Sequence, residues 1–254
     1  MLAIELTGKR ALVTGATGEL GRVIARTLAR AGADIAVHYH RNQEVANRLV
    51  ETITAMGRKA FAVQADITSQ GDITRMREDL ATNFGTPDIL VNNAVIQYQW
   101  KTVLEQDTSD YESQFKSCVL HNVMMAKAFV PDMIKQGWGR VIGINTECTM
   151  QAHPNQSAYI AGKAGMDRVL RVLAKEIGMH GITVNQVAPG WMISETRPDT
   201  DTDGVRAYKG KVPLKRRGHD QDIAHAVAFL ASDLAEFISG VYLPVSGGNV
   251  MPAI

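Results

Sequence analysis

The chain has 254 residues, 45% apolar and 21% charged, which rules out disordered, collagen-like and coiled-coil classes and suits one α/β domain over 1–254. Its 27 basic and 26 acidic side chains leave a net charge of +1, without the basic excess of a dedicated nucleic-acid binder. Cys118 and Cys148 are too few for a disulfide framework or a zinc site. Met1–Thr7 lacks the basic-then-apolar pattern of a signal peptide, and no apolar run nears the roughly 18 residues of a membrane span. The expectation is a cytoplasmic protein with no nucleic-acid or membrane partner and no metal.

In chain order, the first expected strand is Arg10–Thr14. It runs into Gly15-Ala16-Thr17-Gly18-Glu19-Leu20-Gly21 and then a helix, whose apolar positions Leu20, Val23, Ile24, Leu28 and Ala31 keep helical spacing up to Gly32. Strand Asp34–His38, helix Glu44–Met56, strand Lys59–Gln64, helix Asp72–Asn83 and strand Ile89–Asn92 follow. A long helical region covers Asp110–Gln136, before strand Arg140–Ile144. The stripe Met166, Val169, Leu170, Leu173 and Ile177 marks another helix. Strand Thr183–Val187, helix Gln221–Ser232 and strand Tyr242–Val245 complete the series.

Most of these strands are unbroken apolar runs, as expected where both sheet faces are covered. Their alternation with helices predicts right-handed crossovers and a single Rossmann-type α/β domain with a doubly wound parallel sheet. One stretch breaks the rhythm. Glu195–Val212 is polar and lies between Pro189-Gly190 and Pro213. A loop of this length is expected to be a lid over the ligand, with disorder as the alternative.

Gly15, Gly18 and Gly21 stand between the first strand and the first helix. Glycines there let backbone N–H groups approach a pyrophosphate, whose charge the helix N-terminus favours. Thr17, Glu19 and Leu20 complete the candidate cradle; a tight turn without a ligand is the plain alternative. An acid at the end of the second strand would bind the ribose hydroxyls of NAD, and a base the extra phosphate of NADP. Tyr39 stands where the acid is expected, followed by His40 and Arg41. That favours NADP(H) over NAD(H), unless Arg41 is only a solvated surface residue.

Tyr159 and Lys163 are spaced i,i+4 in a helical run and so share one face. A free tyrosine, with a pKa near 10, is a poor acid–base catalyst. A nearby ammonium is expected to lower that value and let the pair exchange a proton with a carbonyl or alcohol oxygen.

Together these segments resemble the short-chain dehydrogenase/reductase family. The likeness rests on the turn Thr14–Gly21, on Asn92-Asn93-Ala94-Val95 against the family's NNAG, and on Tyr159-Ile160-Ala161-Gly162-Lys163. It also rests on Val184-Asn185-Gln186-Val187-Ala188-Pro189-Gly190 against VNxxxPG, and it continues to Ser246-Gly247-Gly248. The resemblance implies catalytic roles for Tyr159 and Lys163, and for Thr146 where the family has serine thirteen residues before the tyrosine. It implies that Asn122 holds a water behind the lysine, and that Lys163 also holds the nicotinamide ribose. Asp66 and Ile67 would meet the adenine edge, although Asp66 also reads as a turn residue. Asn93 and Ala94 would line the adenosine side, Pro189 and Gly190 would lie beside the nicotinamide, and Met192 and Ser194 would meet its carboxamide.

The chain departs from the pattern at Glu19, which takes the middle glycine position in the register TGxxxGxG, and at Val95. Glu19 is expected to face solvent in the first helical turn. His121 is expected to be packing or surface. The implied partner is a small carbonyl or alcohol: a 3-oxoacyl thioester, a sugar or polyol, or a xenobiotic ketone. Gln97, Tyr98, Gln99 and Trp100 are candidates for one substrate wall, and Gln151, His153 and Trp191 for another. The implied assembly is a homotetramer, with a dimer as the smaller alternative. Two other readings stay open: a dinucleotide sensor without catalysis, and a dehydratase or epimerase of the same fold without net redox turnover.

Overall fold

The computed structural model describes residues 3–252; the ends of the expected 1–254 domain, residues 1–2 and 253–254, lie outside it. Seven strands form one parallel sheet: β1 (Arg10–Val13), β2 (Asp34–Tyr39), β3 (Ala60–Gln64), β4 (Ile89–Asn92), β5 (Gly139–Ile144), β6 (Ile182–Pro189) and β7 (Tyr242–Val245). Their order is β3-β2-β1-β4-β5-β6-β7. The order reverses between β1 and β4, and a parallel sheet opens a crevice at such a point, beyond the strands' carboxyl ends.

Side-chain alternation sends each strand into two cores. Ala11, Val13, Ile35 and Val37 pack against α1 (Glu19–Arg30), α2 (Gln43–Ala55) and α8 (Asp220–Ala231). Leu12, Ala36, Leu90 and Val141 pack against α3 (Gln70–Asn83), α5 (His121–Gln136) and α6 (Ser157–Ile177). Both faces are therefore covered, which is why the strands read as continuous apolar runs rather than alternating ones.

Two segments differ from the sequence expectation. The region over Asp110–Gln136 is not one regular helix. It runs as α4 (Thr108–Gln114), a π-helical stretch Phe115–Leu120, and α5. The extra residue in the widened turn rotates α5 against α4. The Asn122 side chain caps the bulge, Nδ2 donating to the Cys118 carbonyl at 2.7 Å. The polar stretch Glu195–Val212 contains a helix, α7 (Asp203–Lys211). Thr202 accepts from the Val205 N–H at 3.3 Å, and Asp203 sits in the first turn. Thr202-Asp203 is thus a helix start, although the polarity of the stretch reads as loop. Among the described residues, no helix is long and apolar enough to cross a membrane.

Candidate active site

A crevice of about 900 Å³ opens at the carboxyl ends of β1, β2, β4, β5 and β6. Its floor is the turn after β1. Gly15 has a φ of +64°, which disfavours any side chain. A Cβ on Gly21 would overlap the Gly15 carbonyl oxygen, so only glycine lets α1 start so close to the strand. The N-cap of α1 is Gly18, which has no side chain to bond the first-turn amides. Those amides need an acceptor, and the helix dipole favours an anionic one. The cradle therefore fits the diphosphate of a dinucleotide.

Every cofactor position expected from the sequence lines this crevice except Tyr39. Tyr39 is buried in the core beneath α1 and α2, because strand alternation turns it away from the crevice. Its neighbour His38 takes that place, and the sequence reading does not single it out. His38 Nδ1 accepts the Gly15 N–H at 3.0 Å and Nε2 lies 3.1 Å from the Ala65 carbonyl, so the proton is on Nε2. Burial holds its pKa down at about 4. This neutral ring pins the glycine turn to β2 and to the end of β3. A polar residue inside an apolar strand was the signal for it. Beyond β3, Asp66 makes a turn, its Oδ1 accepting from the Thr68 N–H at 2.8 Å and hydroxyl at 2.7 Å, while its side chain borders the crevice. Asn93 Nδ2 donates to the Thr14 carbonyl at 2.9 Å and braces the loop after β4 to the end of β1.

On the opposite wall, α6 and the end of β5 bring Tyr159, Lys163 and Thr146 together. Gly162 makes this possible: a Cβ there would lie 2.9 Å from the Gln114 carbonyl, so glycine lets α4 approach α6. The Tyr159 N–H, one of the first-turn donors of α6, is satisfied by the Tyr98 hydroxyl at 2.8 Å. The Trp100 ring stacks on Tyr159 at 6.2 Å between centroids. Below them, Asn145 Nδ2 donates to the Lys163 carbonyl at 3.1 Å and to Gln186 Oε1 at 2.7 Å. Gln186 in turn donates to Asp167 of α6 at 2.9 Å. These buried amides dock the helix on β5 and β6, and sequence reasoning missed them.

The electrostatics correct one expectation. Burial pushes the Tyr159 phenol above its ordinary value, against the lowering effect of the Thr146 hydroxyl. Burial also pushes Lys163 down. The Lys163 ammonium donates to the Ile144 carbonyl at 2.5 Å and lies 5.9 Å from the centre of the Tyr159 ring. Burial is the first influence on both groups, and the Lys163 ammonium is turned to the backbone of β5. Asn122 lies behind the crevice wall, where Oδ1 accepts from Asn92 Nδ2 at 2.7 Å. His121 is buried in α5, as a packing role requires.

The third wall follows β6 through Pro189, Gly190, Met192 and Ser194. Here Glu19 does not face solvent. Its carboxylate accepts from the Ser194 hydroxyl at 2.5 Å and the Thr196 N–H at 3.1 Å, because α1 and the loop after β6 meet above the cradle. Glu147, also missed from the sequence, is 4% exposed; burial raises its pKa. It accepts from the Tyr208 hydroxyl at 3.0 Å and from Asn249 Nδ2 at 3.0 Å, and Tyr208 accepts from the Trp191 N–H at 2.8 Å. This network ties α7 to the loop that carries Thr146. Among the described residues, no group of three or more His, Cys, Asp or Glu is placed to hold a metal ion.

A family model described as enoyl-(acyl carrier protein) reductase matches residues 15–249. The 3-oxoacyl-[acyl-carrier-protein] reductase FabG of Staphylococcus epidermidis is 35% identical over 243 residues, 96% of this chain and 99% of that protein. The enzyme of the same name from Pseudomonas aeruginosa is 34% identical, over 98% of this chain and 100% of that protein. Among solved structures, a 7α-hydroxysteroid dehydrogenase complexed with NADH and 7-oxo glycochenodeoxycholic acid superposes with a TM-score of 0.90 at 32% identity, covering 98% of this chain and 97% of that one. A gluconate 5-dehydrogenase from Burkholderia cenocepacia, in complex with NADP and tartrate, gives 0.90 at 29% identity, covering 97% and 96%.

Proposed function

Since the chain belongs to the short-chain dehydrogenase/reductase family and is an NAD(P)(H)-dependent oxidoreductase acting on CH–OH groups, we propose that it works as a carbonyl reductase with Tyr159 as the proton donor. The observation that carries this reading is the convergence of Tyr159, Lys163 and Thr146 on the wall facing the glycine cradle. The cradle amides, Asp66, Asn93 and Ser194 would hold the dinucleotide, which supplies the hydride when bound. Thr146 orients the substrate oxygen with its hydroxyl. Tyr159 gives its proton to that oxygen. Lys163 holds the ribose, and Asn122 supports the water path behind it.

NADP(H) is the favoured cofactor. His40 and Arg41 border the crevice at the end of β2, and no acid takes Tyr39's place there. The reading also includes a homotetramer in the reducing cytoplasm. Its support is two groups among the exposed apolar side chains, Phe115 with Leu120 and Val172, and Leu234 with Phe237, and two cysteines that are free. The test is absorbance of NADPH and NADH against a panel of 3-oxoacyl thioester, keto-sugar, steroid and aromatic ketones. Turnover with at least one ketone is expected, faster with NADPH. Tyr159→Phe should lower kcat at least a thousandfold and change the dinucleotide Kd less than threefold, in line with the loss of a general acid at a preorganised site. A Tyr159→Phe enzyme of full activity sinks the assignment. Product formation without net cofactor consumption would indicate the dehydratase or epimerase reading instead.

A further inference from the structure

Glu19 is the first residue of α1, at the mouth of the cradle. Its two bonds, to the Ser194 hydroxyl first and then to Thr196, hold its carboxyl below the ordinary value. An ionised carboxylate only accepts hydrogen bonds, so Ser194 must be the donor at 2.5 Å. One turn further along α1, Arg22 donates to Glu195 Oε2 at 2.5 Å and to the Thr17 carbonyl at 2.7 Å. Arg26 lies 3.6 Å from the same Glu195 carboxylate. Two successive turns of the helix that follows the cradle thus grip residues 194–196.

We propose that Glu19 is a positioning residue for the dinucleotide, tying the 194–196 loop to the cradle and fixing the direction of the Ser194 hydroxyl. The inference rests on the dinucleotide reading above. Because Ser194 spends its proton on Glu19, it presents only lone pairs to the crevice. It therefore accepts from a ligand N–H, and a nicotinamide carboxamide meets it through its amide nitrogen rather than its carbonyl oxygen. That choice sets the rotation of the carboxamide, and with it the seating of the ring beside Tyr159.

An acid beside a diphosphate also repels it. The neighbouring Asp220 shows that negative charge is concentrated here: burial first, then Glu19 and Glu195, raise its pKa to about 6. Arg197 lines the same wall and offsets this charge. Glu19 itself is half-buried and directed at two donors. Tethering and repulsion predict opposite signs for removal of the carboxylate, so the sign of the effect decides between them.

The test compares the wild type with Glu19→Ala, Glu19→Gln and Ser194→Ala. Hydrogen exchange is followed in the free protein, and NADPH and NADH binding by nicotinamide fluorescence. Glu19→Ala is expected to speed exchange of the Thr196 amide at least tenfold, to raise the Kd and KM for NADPH about tenfold, and to lower kcat at saturating NADPH as the seating of the ring relaxes. Glu19→Gln keeps one acceptor oxygen and should recover part of the affinity. Ser194→Ala breaks the contact from the loop side without altering α1 and removes the ligand contact as well, so it should weaken binding at least as much as Glu19→Ala. Unchanged protection of Thr196, or tighter NADPH binding in Glu19→Ala, overturns the proposal. If Thr196 loses protection but neither the wild type nor any variant binds a dinucleotide, the cofactor reading itself fails and takes the positioning role with it.

Discussion

His38 and His121 are both buried, and burial holds their pKa values at about 4 and about 3, against 6.5 for an exposed imidazole. The folded state therefore binds fewer protons than the unfolded chain below pH 6.5. Their contribution is complete above that pH and lost as the pH falls toward the folded values. Between pH 7 and 5 each histidine removes about 2 kcal/mol of stability, taking roughly 1.4 kcal/mol per pKa unit. Asp220 works in the other direction, since its folded pKa is raised to about 6 and the folded state takes up its proton there. Its contribution is common to wild type and variant. Urea unfolding at the two pH values is therefore expected to show His121→Leu losing about 2 kcal/mol less than the wild type. Equal losses would mean that His121 does not stay neutral in the fold. His38 is less suited to the test, because its ring also pins the Gly15 N–H.

Helix α7 illustrates how an element depends on contacts remote in sequence. It has a cap at Thr202 but few buried residues, so its place beside Glu147 and Trp191 rests on the Tyr208 hydroxyl. That hydroxyl bonds both Glu147, beside Thr146, and the backbone of Trp191. Tyr208→Phe removes both bonds and leaves the Glu147 carboxylate with Asn249 alone. The expected cost is about 1–3 kcal/mol, the penalty of under-satisfying a buried acceptor. Amide exchange over Asp203–Lys211 should rise about tenfold, measured by mass spectrometry at 25 °C. Undiminished protection would show that α7 is held by something other than this network. The π-helical stretch is a second case: its widened turn sets Asn122 against Asn92, a contact that a continuous helix of the same length would misalign.

Large apolar side chains are exposed at several places among the described residues, and two groups of them lie on or beside the helices that flank the sheet. Phe115, Leu120 and Val172 lie on the π-helical stretch and α6, with Phe115 51% and Val172 55% exposed. Leu234 and Phe237 lie between α8 and β7, Phe237 fully exposed. Two such patches suit the two kinds of two-fold contact in a tetramer. Light scattering of the wild type is expected to give four times the chain mass. Phe115→Lys and Phe237→Lys should each reduce the particle to a dimer. A monomeric wild type would defeat the tetramer reading.

The amino-acid sequence was sufficient for seven strands to within two residues, for the parallel sheet, and for the tyrosine–lysine and glycine-turn motifs. Those follow from periodicity, unbroken apolar runs and local spacing, which neighbouring residues largely determine. The tertiary fold alone settled the rest. Strand alternation turned Tyr39 inward and His38 to the crevice. Packing brought Glu19 to Ser194, 175 positions away. Burial raised the pKa of Tyr159 and lowered that of Lys163. Each of these depends on desolvation or on hydrogen bonds between distant segments, and no local pattern encodes either one.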